Sequence, residues 1–220
     1  MKVIITGATG MVGEGVLLEC LENPAVERVL AVGRRTCGHT HPKLSECLVP
    51  DFHDLAGAEP QLTGYDACFY CAGVSSVGMK EPEYTAISYA TPLHFAETLV
   101  RLNPSMVLVH VSGARTDGTE QGKVMWARVK GKAENALARL PFKAVYNFRL
   151  SLMKPTPGQL HIKSAYKAML VFYPVLNLFF PGLPLSEVAR AMINAVRFGA
   201  PSSVLEATDL KALAERTAAS

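Results

Sequence analysis

Several things are scarce in this sequence of 220 residues, and each scarcity excludes something. No basic tract occurs and the formal net charge is only +3, too little to draw a polyanion, so no nucleic-acid partner is expected. No charged-then-apolar leader with a cleavage site opens the chain, since strand-like residues begin at residue 2; the expected location is the cytoplasm. Cysteines number five, an odd count without metal-type spacing. Cys20, Cys37, Cys47, Cys68 and Cys71 read as reduced, mostly buried thiols, and no metal site is expected. Charged residues make up only 19% against 49% apolar, which excludes a disordered chain and allows one domain with a sizeable core. Uninterrupted apolar helix is missing too. Residues 169–185 are nearly all apolar, but Pro174, Asn177, Pro181 and Pro184 break the roughly 20-residue run that a membrane span needs. Spanning is therefore not expected. That stretch reads as a cover over a substrate pocket or as a subunit contact, which makes a homodimer one of the expectations.

What is present starts at the first residues. Val3-Ile4-Ile5 is a short β-branched run that reads as a buried strand. Gly7, Gly10 and Gly13 follow, and then Val12, Val16 and Cys20 fall at helical spacing. A glycine turn between a strand and a helix N-terminus suits phosphate, because the backbone can approach it and the unpaired N–H groups favour its charge. The competing reading is a tight turn without a ligand. Further strands are expected at 28–32, 47–50, 66–71, 106–111 and 144–148, with 204–206 as a seventh. Helical segments separate them: 83–102, kinked at Pro92; 121–140; one capped by Ser186 and ended by Gly199; and 210–217. Alternation of this kind argues for a doubly wound parallel sheet of six to seven strands with helices on both faces. The chain reads as one domain over 1–220, with 155–200 as a small substrate-side or interface region.

The second strand ends in Gly33-Arg34-Arg35, where such folds face the adenosine ribose. Arginine suits a 2′-phosphate, whereas an acid would bind a free hydroxyl. Two arginines and no acid favour NADP(H) over NAD(H). The alternative is a solvated basic turn.

Thr6-Gly7-Ala8-Thr9-Gly10-x-x-Gly13 resembles the short-chain dehydrogenase/reductase superfamily, in its extended and atypical branches. Those branches include sugar epimerases, NmrA-type regulators and Tat-interacting-protein-like reductases. The resemblance implies a dinucleotide held by Gly7, Thr9, Gly10, Met11, Val12 and Gly13. It places Asp51, with Phe52, at the adenine; Asp51 also reads as a turn or cap acid. Cys71-Ala72-Gly73 stands where the family usually shows Asn-Ala-Gly, beside ribose and nicotinamide.

The family's chemistry uses a serine after the fifth strand, a tyrosine in the next helix, and a lysine four residues later. Ser112 and Lys130 occupy the first and last of these positions, Lys130 also holding ribose hydroxyls. The tyrosine position is Trp126, whose indole N–H is a donor only and does not exchange a proton as a phenol does. Each residue has a plainer reading: a strand end, a solvated helix residue, a core aromatic. Tyr84, Tyr89 and Tyr166 are candidate substitutes, and the isolated His94, His110 and His161 read as structural. Two functions follow: an NADP-dependent oxidoreductase acting on a small carbonyl or alcohol with unusual proton delivery, or a non-catalytic protein that senses NADP(H).

Overall fold

Val3, Ile4 and Ile5 are wholly buried in strand β1 (Lys2–Thr6), and the rest of the sheet is laid out from it. The structure is a computed structural model that describes residues 1–162, 166 and 182–217. β1 pairs in parallel with β2 (Arg28–Gly33) on one side and β4 (Ala67–Tyr70) on the other. β3 (Leu44–Leu48) lies beyond β2, while β5 (Val107–Gly113), β6 (Ala144–Leu150) and β9 (Val204–Leu205) follow β4. The order is β3-β2-β1-β4-β5-β6-β9, parallel throughout. Strands covered on both faces become near-continuous apolar runs, which is why they were legible. The order reverses on either side of β1, so a crevice opens beyond the carboxyl ends of β1 and β4.

Helices cover both faces. α1 (Met11–Glu22), α6 (Leu185–Phe198) and α7 (Ala207–Ala214) pack on one side, through Val16, Leu17, Val188, Met192 and Leu210. On the other side α2 (Glu59–Leu62), α4 (Thr91–Leu102) and α5 (Met125–Ala138) contribute Leu62, Phe95, Leu99 and Leu137.

The structure corrects several expected boundaries. β3 starts at Leu44, because pairing of Val29 with Leu44 and Gly33 with Leu48 sets its register, and not the apolar run 47–50. The helix expected over 83–102 runs from 81 to 102, with a change of hydrogen-bonding pattern just before Pro92. α3 (Glu81–Thr85) passes through a π-helical turn (Ala86–Ala90), where Thr91 N–H reaches back five residues to the Ala86 carbonyl. Pro92 then sits in the first turn of α4, where its missing N–H costs nothing. α5 begins at Met125, since 114–124 is held as a loop by Asp117. Ser186 lies inside the first turn of α6, behind Pro184 as cap, and α7 opens three residues earlier than expected, on a Glu206–Asp209 capping box. A two-residue parallel pair, β7 (Met153–Lys154) with β8 (Leu183–Pro184), was not foreseen. Of the apolar stretch, 169–181 lie outside the described residues. Among the described residues no helix is long and apolar enough to cross a membrane.

Candidate active site

The glycine turn is built by close approach. Gly7 has φ +74°, and a Cβ there would stand 2.7 Å from Ala72 N; a Cβ on Gly13 would stand 2.2 Å from the Gly7 carbonyl oxygen. Gly10 is different: its N–H bonds the Gly7 carbonyl at 2.9 Å, and a Cβ would meet only that oxygen, at 3.4 Å. Gly10 is also the N-cap of α1, and no side chain caps the helix. The first amides of α1, at Met11 and Val12 beside the exposed Gly10, fit a dinucleotide pyrophosphate. Thr6, which the sequence reading passed over, is fully buried, and its Oγ1 accepts the N–H groups of Cys71 and Ala72, both at 3.1 Å. It ties the end of β1 to the end of β4. Burial pushes the Cys71 thiol up to about 12, so it is neutral.

Beside this turn a cleft is lined by Gly7, Thr9, Gly33, Arg35 and Glu46. Arg34 and Arg35 are exposed at the end of β2. The expectation of no acid here needs correction. Glu46 reaches the cleft from β3, opposite Ala31, and its Oε1 accepts the Cys37 N–H at 2.6 Å. It was missed because it is a neighbour through strand register and not through sequence. Asp51 lies exposed in the turn after β3, where its Oδ1 accepts the His53 N–H at 2.8 Å; Phe52 packs on Phe95 with ring centroids 5.3 Å apart.

At the end of β5 two of the sequence candidates, Trp126 and Lys130, meet. A Cβ on Gly113 would lie 3.4 Å from Trp126 Cζ3 and 3.8 Å from Lys130 Cδ. Trp126 and Lys130 therefore share one face of α5 and cover the residue next to Ser112. Ser112 is buried, with Oγ 3.1 Å from Thr116 Oγ1. Thr116 donates its own proton to the Gly113 carbonyl at 2.7 Å, so in this pair Ser112 is the donor. Burial pulls the Lys130 ammonium below its usual pKa, and Glu134 works against the shift. Glu134 itself is buried and grips Arg149 with both oxygens, at 3.1 and 2.7 Å. Gly131 explains the fixed loop before α5: a Cβ would stand 1.8 Å from the Asp117 carbonyl oxygen.

His110 is buried beneath the site, 3.0 Å from Asn147 Oδ1 and near the Tyr70 ring. Burial first, and the Lys130 charge second, push its pKa down to about 3, against the pull of Asn147. The folded protein thus keeps His110 neutral while the unfolded chain takes up a proton below about pH 6.5. Stability should fall as pH drops from about 6.5 toward 3, by at most about 1.4 kcal/mol per pH unit from this residue. Chemical denaturation across pH 4–7 should show a shallower slope for His110→Gln; an unchanged slope would remove His110 as the cause.

The profile of the NAD dependent epimerase/dehydratase family matches residues 3–128, more than half of the chain. The chain belongs to that family. Among solved structures it is similar to MoeE5 in complex with UDP-glucuronic acid and NAD, at 20% identity and TM-score 0.70, over 94% of this chain and 76% of that one. It is also similar to Bordetella bronchiseptica WbmG in complex with NAD, at 16% identity and TM-score 0.69, over 94% and 72%. A third is Helicobacter pylori ADP-L-glycero-D-manno-heptose-6-epimerase, at 16% identity and TM-score 0.70, over 93% and 74%. No curated protein sequence matches. Likeness at these identities shows the shared nucleotide-binding fold.

The family match takes in the glycine turn, Ser112 and Trp126 and stops two residues before Lys130. Of the alternative tyrosines, Tyr84 is buried, Tyr89 lies under the Lys132 ammonium at 4.5 Å, and the Tyr166 hydroxyl donates to the Met153 carbonyl. Neither of these two contacts is with Ser112 or Lys130.

Proposed function

We propose that this protein is an oxidoreductase of the atypical short-chain type that uses NADP(H) to move hydride to or from a small carbonyl or alcohol substrate. The observation that carries it is the packing of Trp126 and Lys130 together against Gly113, the residue after Ser112, at the carboxyl end of the sheet. When bound, the dinucleotide supplies the hydride chemistry. Gly7, Thr9, Gly10, Met11, Val12 and Gly13 hold its phosphates, with Asp51, Phe52, Cys71, Ala72 and Gly73 along the rest of its length. Lys130 presents an ammonium on a dry face, able to bind ribose hydroxyls and to stabilise negative charge on a substrate oxygen. Ser112 turns its O–H from Thr116 to that oxygen and polarises it. The indole of Trp126 exchanges no proton, so proton delivery falls to Ser112, with Thr116 and solvent behind it. Residues 1–220 act as one domain, with 155–200 closing the substrate side or meeting a second subunit. All five cysteines are free thiols, as the reducing cytoplasm would leave them.

The second reading, NADP(H) sensing without turnover, draws on Trp126 alone. Oxidation of NADPH over a panel of aldehydes, ketones and nucleotide sugars decides between them; the last are included because MoeE5 is bound to UDP-glucuronic acid. Turnover that disappears in Lys130→Met supports the enzyme, and NADPH binding without turnover of any panel member supports the sensor.

Cofactor preference is a separate prediction. Arg34 and Arg35 have no ion-pair partner among the described residues, and the Glu46 carboxylate is held by Cys37 N–H. Titration calorimetry should show NADPH binding more tightly than NADH by about 1–3 kcal/mol, the scale of a charge-assisted bond. Arg34→Ala with Arg35→Ala should erase the difference. Equal affinities in the parent protein would contradict it.

A further inference from the structure

Glu14 stands in the first turn of α1, and its side chain is completely buried. Three distant stretches of chain meet on it. His39, from the loop after β2, brings Nε2 to 2.8 Å from Glu14 Oε1. His161 brings Nδ1 to 3.2 Å from the same oxygen. Leu160 N–H donates to Oε1 at 2.5 Å and His161 N–H to Oε2 at 2.8 Å. Among the described residues no lysine or arginine pairs with this carboxylate; its ionic partners are the two imidazoles.

As hydrogen bonding alone, the arrangement does not close. Oε1 already receives Leu160 N–H and His39, which use the two lone pairs of that oxygen. His161 Nδ1 is buried and has no hydrogen-bond partner. If that nitrogen carries a proton, no lone pair remains for it. If it does not, its lone pair faces those of an anion. A cation between the three groups resolves both cases.

We propose that Glu14, His39 and His161 hold one divalent transition-metal ion, zinc in preference to calcium or magnesium. The three donor atoms lie within 4.8 Å of one another. Two imidazole nitrogens and one carboxylate oxygen are a zinc donor set that leaves a fourth position for water. Calcium and magnesium want more oxygen ligands than this cluster offers. The backbone N–H groups of Leu160 and His161 orient the carboxylate, as outer partners do in metal sites. The ion fastens the loop 155–162 to the helix whose N-terminus faces the glycine turn. Gln159 reinforces that junction by donating from Nε2 to the Met11 carbonyl at 2.6 Å. Sequence reading gave His161 no role because Glu14 lies 147 residues away.

The full chain, stripped with a chelator and dialysed free of metal, is titrated with zinc against a chromophoric chelator, and separately with cobalt. One equivalent should bind, and cobalt should give the visible absorption of a four-coordinate nitrogen–oxygen site. His39→Ala and His161→Ala should each weaken binding by more than the roughly 10–100-fold that loss of an outer partner costs. Circular dichroism checks each variant's fold. Glu14→Gln keeps the shape of the side chain and should also lose the metal. Absence of stoichiometric zinc or cobalt in the parent chain overturns the proposal, and so does affinity unchanged in both histidine variants. Where a variant fails to fold, the parent's cobalt spectrum decides. The metal count does not depend on nucleotide binding or turnover.

Discussion

Trp126→Tyr is expected to raise NADPH-dependent carbonyl reduction by about 10²–10⁴-fold over the parent protein, the range that a placed general acid contributes. The substitution puts a phenol where the indole now lies against Gly113, four residues before Lys130 on the same helix face. The Lys130 ammonium would hold that phenol below its ordinary pKa, making it able to give and recover a proton. Ser112 would then polarise the substrate oxygen without also having to supply the proton. Initial rates over a panel of aldehydes and ketones measure the gain, with calorimetry showing that NADPH affinity is retained. Adding Lys130→Met to the tyrosine variant should remove the gain and take the rate below the parent level, since Lys130 serves both forms. A tyrosine variant that folds and binds NADPH, yet accelerates no panel member, contradicts the proposed roles at this site.

Gly13→Ala should abolish measurable nucleotide binding and also lower stability, by about 1–3 kcal/mol or more, as overpacking does. The new Cβ would lie 2.2 Å from the Gly7 oxygen and 2.5 Å from the Gly7 carbon, both backbone atoms. Helix α1 would have to lift from the turn, and the geometry of its amides would be lost. Gly10→Ala separates the two effects. Its φ of −119° suits alanine, and its Cβ would meet only the Gly7 oxygen at 3.4 Å. It should therefore melt close to the parent while binding nucleotide poorly, because the methyl group stands where phosphate would approach. Thermal melts and calorimetry on the two variants check this. Undiminished binding in Gly10→Ala would move the phosphates away from this turn.

The parts of the fold that were legible share a local cause. Val3-Ile4-Ile5 and the β4 and β5 runs are apolar because both faces of a parallel strand are covered, and that leaves its mark in consecutive residues. The meeting of Trp126 and Lys130 was legible because four residues are about one helical turn. The missed features are set by partners elsewhere in the chain. β3 is an edge strand with only Cys47 buried, so its position is fixed by pairing with β2 and not by its own apolar pattern. Glu46 enters the cleft beside the glycine turn through that same register. The π turn at 86–90 comes just before Pro92 and changes the hydrogen-bonding pattern there, which residue spacing does not reveal. In sequence Glu14 is a single acid in the first turn of α1, and only its tertiary neighbours show that it is buried among two histidines.

In the proposed function the nicotinamide end of the dinucleotide lies at Trp126 and Lys130. Trp126 is the only tryptophan in the chain, so its emission reports on that place alone. Reduced nucleotide absorbs in the range of indole emission and can quench by energy transfer across a domain of this size. Oxidised nucleotide lacks that absorption, and its electron-poor ring quenches by contact. The decisive measurement is therefore Trp126 fluorescence during titration with NADP⁺, in parallel with calorimetry on the same samples. Quenching should saturate with the calorimetric isotherm. Binding seen by calorimetry, with Trp126 emission unchanged, would contradict it.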